Sequence, residues 1–270
     1  MSEDLPLSKS GQTAVAVARL CAHEAGRRIM THFGPRQEVE VKGRGNFLTA
    51  ADLEAERLIL EILRSEYPEH SVLSEETAAI APTGGWVWVV DPLDGTHNFS
   101  RGIPYFCVNI ALCYDGEPLL GLTFDPVRGE EFLATRDSGL LVNGQPAHSS
   151  TAPSLKASVL GADLGYDDRR ASRAISLLHE LWPGVQSVRI MGSAALGLAY
   201  AACGRFDLFV HHMLYPWDLA AGIVQVREGG GAIYDRDGGP ISIRSEGVVA
   251  GAPAAVSEFL RAAKGKAWRA

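Results

Sequence analysis

The sequence predicts a mixed α/β fold, α+β in arrangement, built as two packed halves. Two observations carry this expectation. Between residues 105 and 148, apolar runs are separated by the hairpin signals Asp115-Gly116 and Asn143-Gly144, the pattern of an antiparallel meander. Beyond about residue 150 the pattern changes to strands alternating with helices. A chain of 270 residues can bury a large core of this kind. The reading is an N-terminal α+β subdomain over residues 1–150 and a C-terminal α/β subdomain over residues 151–270, sharing one layered sandwich.

The elements follow in order. Residues 10–33 read as an amphipathic helix, with Ala14, Val17, Ala18, Cys21, Ala25 and Ile29 on one stripe and Gly34-Pro35 as its stop. Glu38 to Lys42 alternates like a strand. A second helix starts at Thr49-Ala50-Ala51-Asp52, where Thr49 and Asp52 fit a capping box, and runs through Leu58, Ile59, Ile62 and Leu63 to Pro68. Strands are expected near 71–75 and 86–91, then at Tyr105–Tyr114, Pro118–Asp125, Glu131–Thr135 and Leu140–His148. In the second half, strand Ser158–Ala162 precedes a helix near 168–181, and Gln186–Ile190 precedes one near 193–203. Strand Asp207–Val210 precedes a helix near 217–228, and Val248–Ala250 precedes one ending near 263. Gly229-Gly230-Gly231 closes a helix instead of opening one, so it reads as a C-terminal stop and not as a phosphate loop. Trp86, Trp88 and Trp182 are assigned to the core.

Composition narrows the function classes. A hydrophobic share of 46% with 21% charged residues is ordinary for a soluble globular protein. The net charge of −7, with no Lys/Arg cluster to offset it, argues against nucleic-acid binding. No apolar run reaches membrane-spanning length, and the acidic start Met1-Ser2-Glu3-Asp4 is unlike a signal peptide, so a cytoplasmic protein with no membrane partner is expected. Cys21, Cys107, Cys113 and Cys203 form no C-x-x-C pair, and buried free thiols are the expectation. The eight histidines show no zinc-binding spacing.

The chemistry concentrates after the apolar run Trp86-Val87-Trp88-Val89-Val90. There Asp91-Pro92-Leu93-Asp94-Gly95-Thr96-His97-Asn98-Phe99 puts two carboxylates three residues apart where a buried strand ends. Pro92 biases Asp91 towards extended backbone, and Gly95 allows a tight bend and a close ligand. The carboxylates of Asp91 and Asp94, with the Leu93 carbonyl, can converge on one point, and oxygen-only ligands suit a hard cation such as magnesium. Other acids sit at comparable places. Glu75 and Glu76 follow the short strand Val72-Leu73, Asp218 lies at a helix start in Tyr215-Pro216-Trp217-Asp218, and Asp52 closes the segment Lys42–Asp52. As a stability device such a cluster makes little sense, because buried like charges are costly.

In order along the chain, K…T-x-x-D, E-E, D-P-x-D-G-T-x-N-F, G-[ST]-A and W-D-x-A-A-G resemble the inositol monophosphatase family of magnesium-dependent, lithium-sensitive phosphatases, from about residue 10 to about residue 262. The resemblance implies an α-β-α-β-α sandwich of the inositol monophosphatase and fructose-1,6-bisphosphatase type, with the site between the halves. It implies two or three Mg2+ ions: Glu75, Asp91 and the Leu93 carbonyl on one, Asp91, Asp94 and Asp218 on a second, and Glu75 reaching a third. Thr96 and Asp52 resemble the pair that polarises the attacking water, with Glu75 as the further catalytic acid and Glu76 ranked below it. Asp94, Gly95, Thr96, Gly192, Ser193, Ala194, His211 and Asp218 are the implied substrate contacts, and a homodimer is the implied assembly.

Two residues depart from the family pattern. His97 stands where a second Thr is common, and His211, seven residues before Asp218, stands where inositol-specific members place a sugar-binding Glu. An imidazole is a weaker acceptor and can carry charge near pH 6.5. The expected reaction is hydrolysis of a small phosphomonoester, inositol 1-phosphate first, with fructose 1,6-bisphosphate, histidinol phosphate and a 3′-phosphonucleotide as rivals. The reading of another class is a non-catalytic dimeric scaffold that retains the metal site.

Overall fold

The computed structural model describes residues 5–35, 40–43, 46–77 and 84–269. Their elements stack as helices, sheet, helices, sheet, helices, the layering expected from the resemblance. Helices α1 (Ala14–His32) and α2 (Ala50–Glu66) form the first layer. The expected stripe of α1 is its buried face, and the Thr13 hydroxyl caps it by accepting from the Ala16 N–H at 3.2 Å. A small ribbon of β1 (Glu40–Gly43) and β2 (Asn46–Leu48) lies between these helices in sequence. The expected start of that first strand, Glu38-Val39, lies outside the described residues.

The first sheet has the order β3 (Ser71–Ser74), β4 (Trp86–Asp94), β5 (Cys107–Tyr114), β6 (Glu117–Asp125), β7 (Glu130–Thr135), β8 (Leu140–Val142) and β9 (Gln145–Ala147). Only β3 and β4 run parallel in it. A short helix, α3 (Thr96–Ser100), follows β4. The single strand expected over 140–148 is corrected to a hairpin. Asn143 and Gly144 take φ values of 49° and 75°, the geometry of the tight turn they signal, so the chain reverses there.

The second sheet has the order β11 (Ser187–Ile190), β10 (Val159–Ala162), β12 (Leu208–His211), β14 (Val248–Gly251), β13 (Ala232–Asp235). Strand β10 runs parallel to β11 and β12, while β14 is antiparallel to both its neighbours. Helices α4 (Asp168–Leu181) and α7 (Pro253–Ala262) cover its outer face. Helices α5 (Ala194–Ala202) and α6 (Pro216–Glu228) fill the space between the sheets and are apolar nearly all round, as a helix buried on two sides must be. The small residues of α6 let it pack closely on the first sheet, β4 included: Ala221 seats on Gly121 of β6, where a Cβ would lie 2.4 Å from the Ala221 carbonyl oxygen, and Gly222 seats on Leu198 of α5.

Trp88 is fully buried, but Trp182 is 56% exposed and does not belong to the core. It is the C-cap of α4, where the backbone has already left the helix for an extended conformation, beyond the buried residues Ala174 and Leu177. All four cysteines are free, with Cys203 only half-buried. No helix among the described residues is long and apolar enough to cross a membrane.

Candidate active site between the two sheets

Both sheets aim the C-terminal ends of their parallel strands at one cavity of about 250 Å³. Strands β3 and β4 deliver Glu75, Asp91 and Asp94. Strands β10, β11 and β12 deliver Asp163, Gly192 and His211, and the start of α6 delivers Asp218. Ligand sites gather at such strand ends because loops there are free to carry chemistry while the sheet holds them still.

The end of β4 is irregular for a physical reason. Pro92 has no N–H to give the ladder, and the register with β5 shifts between Asp91 and Asp94. Asp91 Oδ1 accepts from the Leu93 N–H at 3.0 Å, and Gly95 turns the chain at φ 94°. A Cβ at Gly95 would lie 3.0 Å from the Tyr105 carbonyl oxygen, so glycine is needed for space as well as conformation.

These turns bring Asp91, Asp94 and Asp218 together, each offering a carboxylate oxygen within 4.8 Å of the others. Glu75 lines the same cavity, as do Leu93, Gly95 and Thr96. Burial first, then the charges of Glu75, Asp94 and Asp218, raise the Asp91 carboxyl well above its ordinary range. Burial and the Asp94 charge raise Asp218. Burial also raises Asp94, against the hydrogen bonds from Ser193 and Ala195 that favour its charged form. Among the described residues, no lysine or arginine lines the cavity. Crowded carboxylates without a cationic side chain, offering oxygen donors only, fit a hard divalent cation.

Asp52 and Thr96 meet as expected, although they are 44 residues apart: Thr96 Oγ1 donates to Asp52 Oδ1 at 2.9 Å. The same hydroxyl lies 2.9 Å from the Leu93 carbonyl, leaving that oxygen a second lone pair. Asp52 is fully buried behind Thr96 and also completes the capping box, accepting from the Thr49 N–H at 2.7 Å and from the Thr49 hydroxyl. The capping and functional readings of Asp52 thus coexist. Burial pushes its carboxyl up to about 6, against the Thr49 and Thr96 hydrogen bonds that lower it, with a smaller upward push from Glu76.

Ser193 caps α5 and also donates to Asp94 Oδ2, which accepts from the Ala195 N–H at 2.8 Å. The Gly192-Ser193-Ala194 turn therefore holds Asp94 as well as lining the cavity. Two residues without an expected role support it. Asn98, the Asn of the D-P-x-D-G-T-x-N-F stretch, donates its Nδ2–H to the Met191 carbonyl at 2.7 Å and to the Tyr105 carbonyl at 2.8 Å. Asp163 Oδ1 accepts from the Met191 N–H at 2.9 Å and the Gly192 N–H at 2.7 Å. Asp163 is 6% exposed, and burial pushes its carboxyl up to about 7, against those backbone hydrogen bonds. Its only sequence signal was its place one residue after a strand of the alternating half.

His211 lines the cavity, but the idea that it carries charge near neutral pH is corrected. Burial, with the neighbouring His212, pushes it down to about 3. Its Nδ1 accepts from the Met213 N–H at 3.1 Å, so the proton of the neutral ring sits on Nε2. His97 is exposed and lines the same cavity, as do Tyr166 and Tyr215, each a little under half exposed.

The family model described as "Inositol monophosphatase family" matches residues 11–267. The chain is 38% identical over 248 residues to "Nus factor SuhB" of Escherichia coli strain K12, covering 90% of this chain and 93% of that one. It is 37% identical over 246 residues to "Inositol-1-monophosphatase" of Synechocystis, covering 88% and 84%. Among solved structures, the extragenic suppressor protein suhB from Bartonella henselae superposes with a TM-score of 0.87 at 34% identity, covering 93% of this chain and 98% of that one.

Proposed function

The chain belongs to the inositol monophosphatase family, and on that premise we propose that it hydrolyses a small phosphomonoester with water, using magnesium. The observation that carries this reading is the convergence of the Asp91, Asp94 and Asp218 carboxylates at one point of the cavity. Asp91, Asp94 and Asp218, with Glu75 and the Leu93 carbonyl, are the residues that would hold two Mg2+ ions, and Glu75 would reach a third. When bound, magnesium neutralises phosphoryl oxygens and makes a water more acidic. The chain's own part is to place and deprotonate. Thr96 Oγ1 orients the water, and Asp52 Oδ1, hydrogen-bonded to that hydroxyl, is the acceptor towards which the proton moves. Gly95 and Thr96 face the phosphate, while Gly192, Ser193, Ala194 and His211 meet the alcohol portion.

Phosphate release from a panel of phosphomonoesters, with magnesium present, tests this reading. EDTA should abolish release, magnesium should restore it, and lithium should inhibit. Full turnover after exhaustive chelation overturns the mechanism. Inositol 1-phosphate heads the panel, with histidinol phosphate and a 3′-phosphonucleotide beside it. Fructose 1,6-bisphosphate ranks lower, because among the described residues no lysine or arginine lines the cavity to receive a second phosphate. The E. coli relative is named a Nus factor and not a phosphatase, and a second reading, a scaffold that keeps its metal site, is tested by the same panel. Metal binding without phosphate release from any panel member supports the scaffold over the enzyme. The free cysteines favour a cytoplasmic setting, and the family resemblance favours a homodimer.

His211 supplies a specificity test. A neutral ring with its proton on Nε2 donates to a substrate oxygen, whereas a carboxylate would accept from sugar hydroxyls. His211→Glu should therefore raise the preference for inositol 1-phosphate by about tenfold, the worth of one charge-assisted hydrogen bond, mainly through KM. Unchanged ratios across the panel would show that position 211 does not read the alcohol.

A further inference from the structure

The carboxylate cluster is assembled from two separate elements: β4 carries Asp91 and Asp94, and α6 carries Asp218. It exists only while helix and sheet keep one registry. Apolar burial is itself non-directional, and α6 is buried without interruption from Leu219 to Val226. At its far end Glu228 accepts from the backbone N–H groups of Asp137, Ser138 and Gly139, a distant anchor that leaves the Asp218 end to be placed. Its contacts on Gly121 and Leu198 are made by the small residues Ala221 and Gly222.

A buried polar relay crosses this interface. Asn109 on β5 stands directly opposite Asp91, and its Nδ2–H donates to the Trp217 carbonyl at 2.7 Å, one residue before Asp218. Thr123 on β6 stands opposite Asn109 and donates its hydroxyl to Asn109 Oδ1 at 2.7 Å. Gln225, two turns along α6 from Asp218, donates its Nε2–H to Thr123 Oγ1 at 2.9 Å and to the Phe132 carbonyl at 3.0 Å. Asn109, Thr123 and Gln225 are 1%, 0% and 0% exposed. Three polar side chains in a buried interface are an expensive route to stability that apolar residues of similar shape would match or better. What they add is direction, since each bond is satisfied at one helix position only.

We infer that Asn109 is a positioning residue for the cation cluster: through the Trp217 carbonyl it sets Asp218 against Asp91, with Thr123 and Gln225 holding it in place. This rests on the reading that the cluster binds a divalent cation.

The experiment is direct titration of the purified full chain with Mn2+, followed by electron paramagnetic resonance, beside thermal melting of the metal-free protein. Asn109→Leu keeps the shape but removes the donor, and should weaken Mn2+ binding about 10–100-fold. Thr123→Val should shift affinity in the same direction, and it carries the test if Asn109→Leu does not fold. Thr123→Ser, which retains the hydroxyl, should restore wild-type affinity. Lower melting temperatures with wild-type Mn2+ affinity in both Asn109→Leu and Thr123→Val would make the relay purely structural and overturn the inference alone. A wild-type chain that binds no Mn2+ overturns the cation reading and this inference with it.

Discussion

Asp94→Asn is expected to lower phosphate release by roughly 10³-fold while leaving the fold intact. The loss follows from removing a charged cation ligand, since charge stabilisation of this kind is worth several kcal/mol and each ~1.4 kcal/mol is a factor of ten in rate. The fold survives because the side-chain oxygen of an asparagine can still accept from Ser193 and from the Ala195 N–H. Metal-free stability should move the other way. Burial raises the Asp94 carboxyl above its ordinary 3.8, as burial and repulsion do for Asp91 and Asp218. A carboxyl raised in the folded state binds its proton more tightly there than in the unfolded chain. The metal-free protein should therefore gain stability as pH falls from neutral towards about 4, and should be penalised at neutral pH where these groups are charged. Asp94→Asn removes one of the three charges, so its metal-free melting temperature at pH 8 should equal or exceed that of the wild type. It should also change less between pH 8 and pH 5.5. Melting curves and phosphate release from one preparation check both halves. An inactive variant with a much lower melting temperature would mean that Asp94 is a structural residue.

How far the sequence reaches depends on the range of the interaction involved. The stripe of α1, the capping box at Thr49 and Asp52, and the Asn143-Gly144 turn are set within a few residues, so local patterns report them well. Strand β13 gave no such signal: four residues with one buried side chain, Ile233, leave no alternation to detect. Trp182 was misplaced because a large apolar residue predicts burial only when its helix face is packed, and position 182 falls past that face. The acids of the cluster were legible because several segments each put a carboxylate at a strand or helix end. Asp163, Asn109 and Gln225 were not, since each owes its role to a neighbour distant in sequence: Gly192 for Asp163, Trp217 for Asn109, Thr123 for Gln225. The charge state of His211 was hidden for the same reason, because its surroundings are tertiary.

Asp52→Asn is expected to cut turnover about 10²–10⁴-fold, the usual loss when a positioned proton acceptor is removed. Its effect on stability should be small, because Asn and Asp cap helices about equally well and the Asn oxygen can still accept from the Thr49 N–H. Asp52 lies behind Thr96 and does not line the cavity, so Mg2+ affinity should barely change. A pH profile supplies an independent check. An acceptor must be unprotonated to act, and burial pushes Asp52 up to about 6, so wild-type turnover should rise as pH increases through that value. In Asp52→Asn the residual turnover should lose this limb, since an amide does not titrate there. If Asp52 serves only as a helix cap, the outcome differs in turnover and its pH dependence: near-normal turnover and an unchanged acid limb, with stability and Mg2+ affinity again little moved. That result would leave Thr96 as a turn hydroxyl and move the search for the proton acceptor to the carboxylates that line the cavity, with Glu75 first among them.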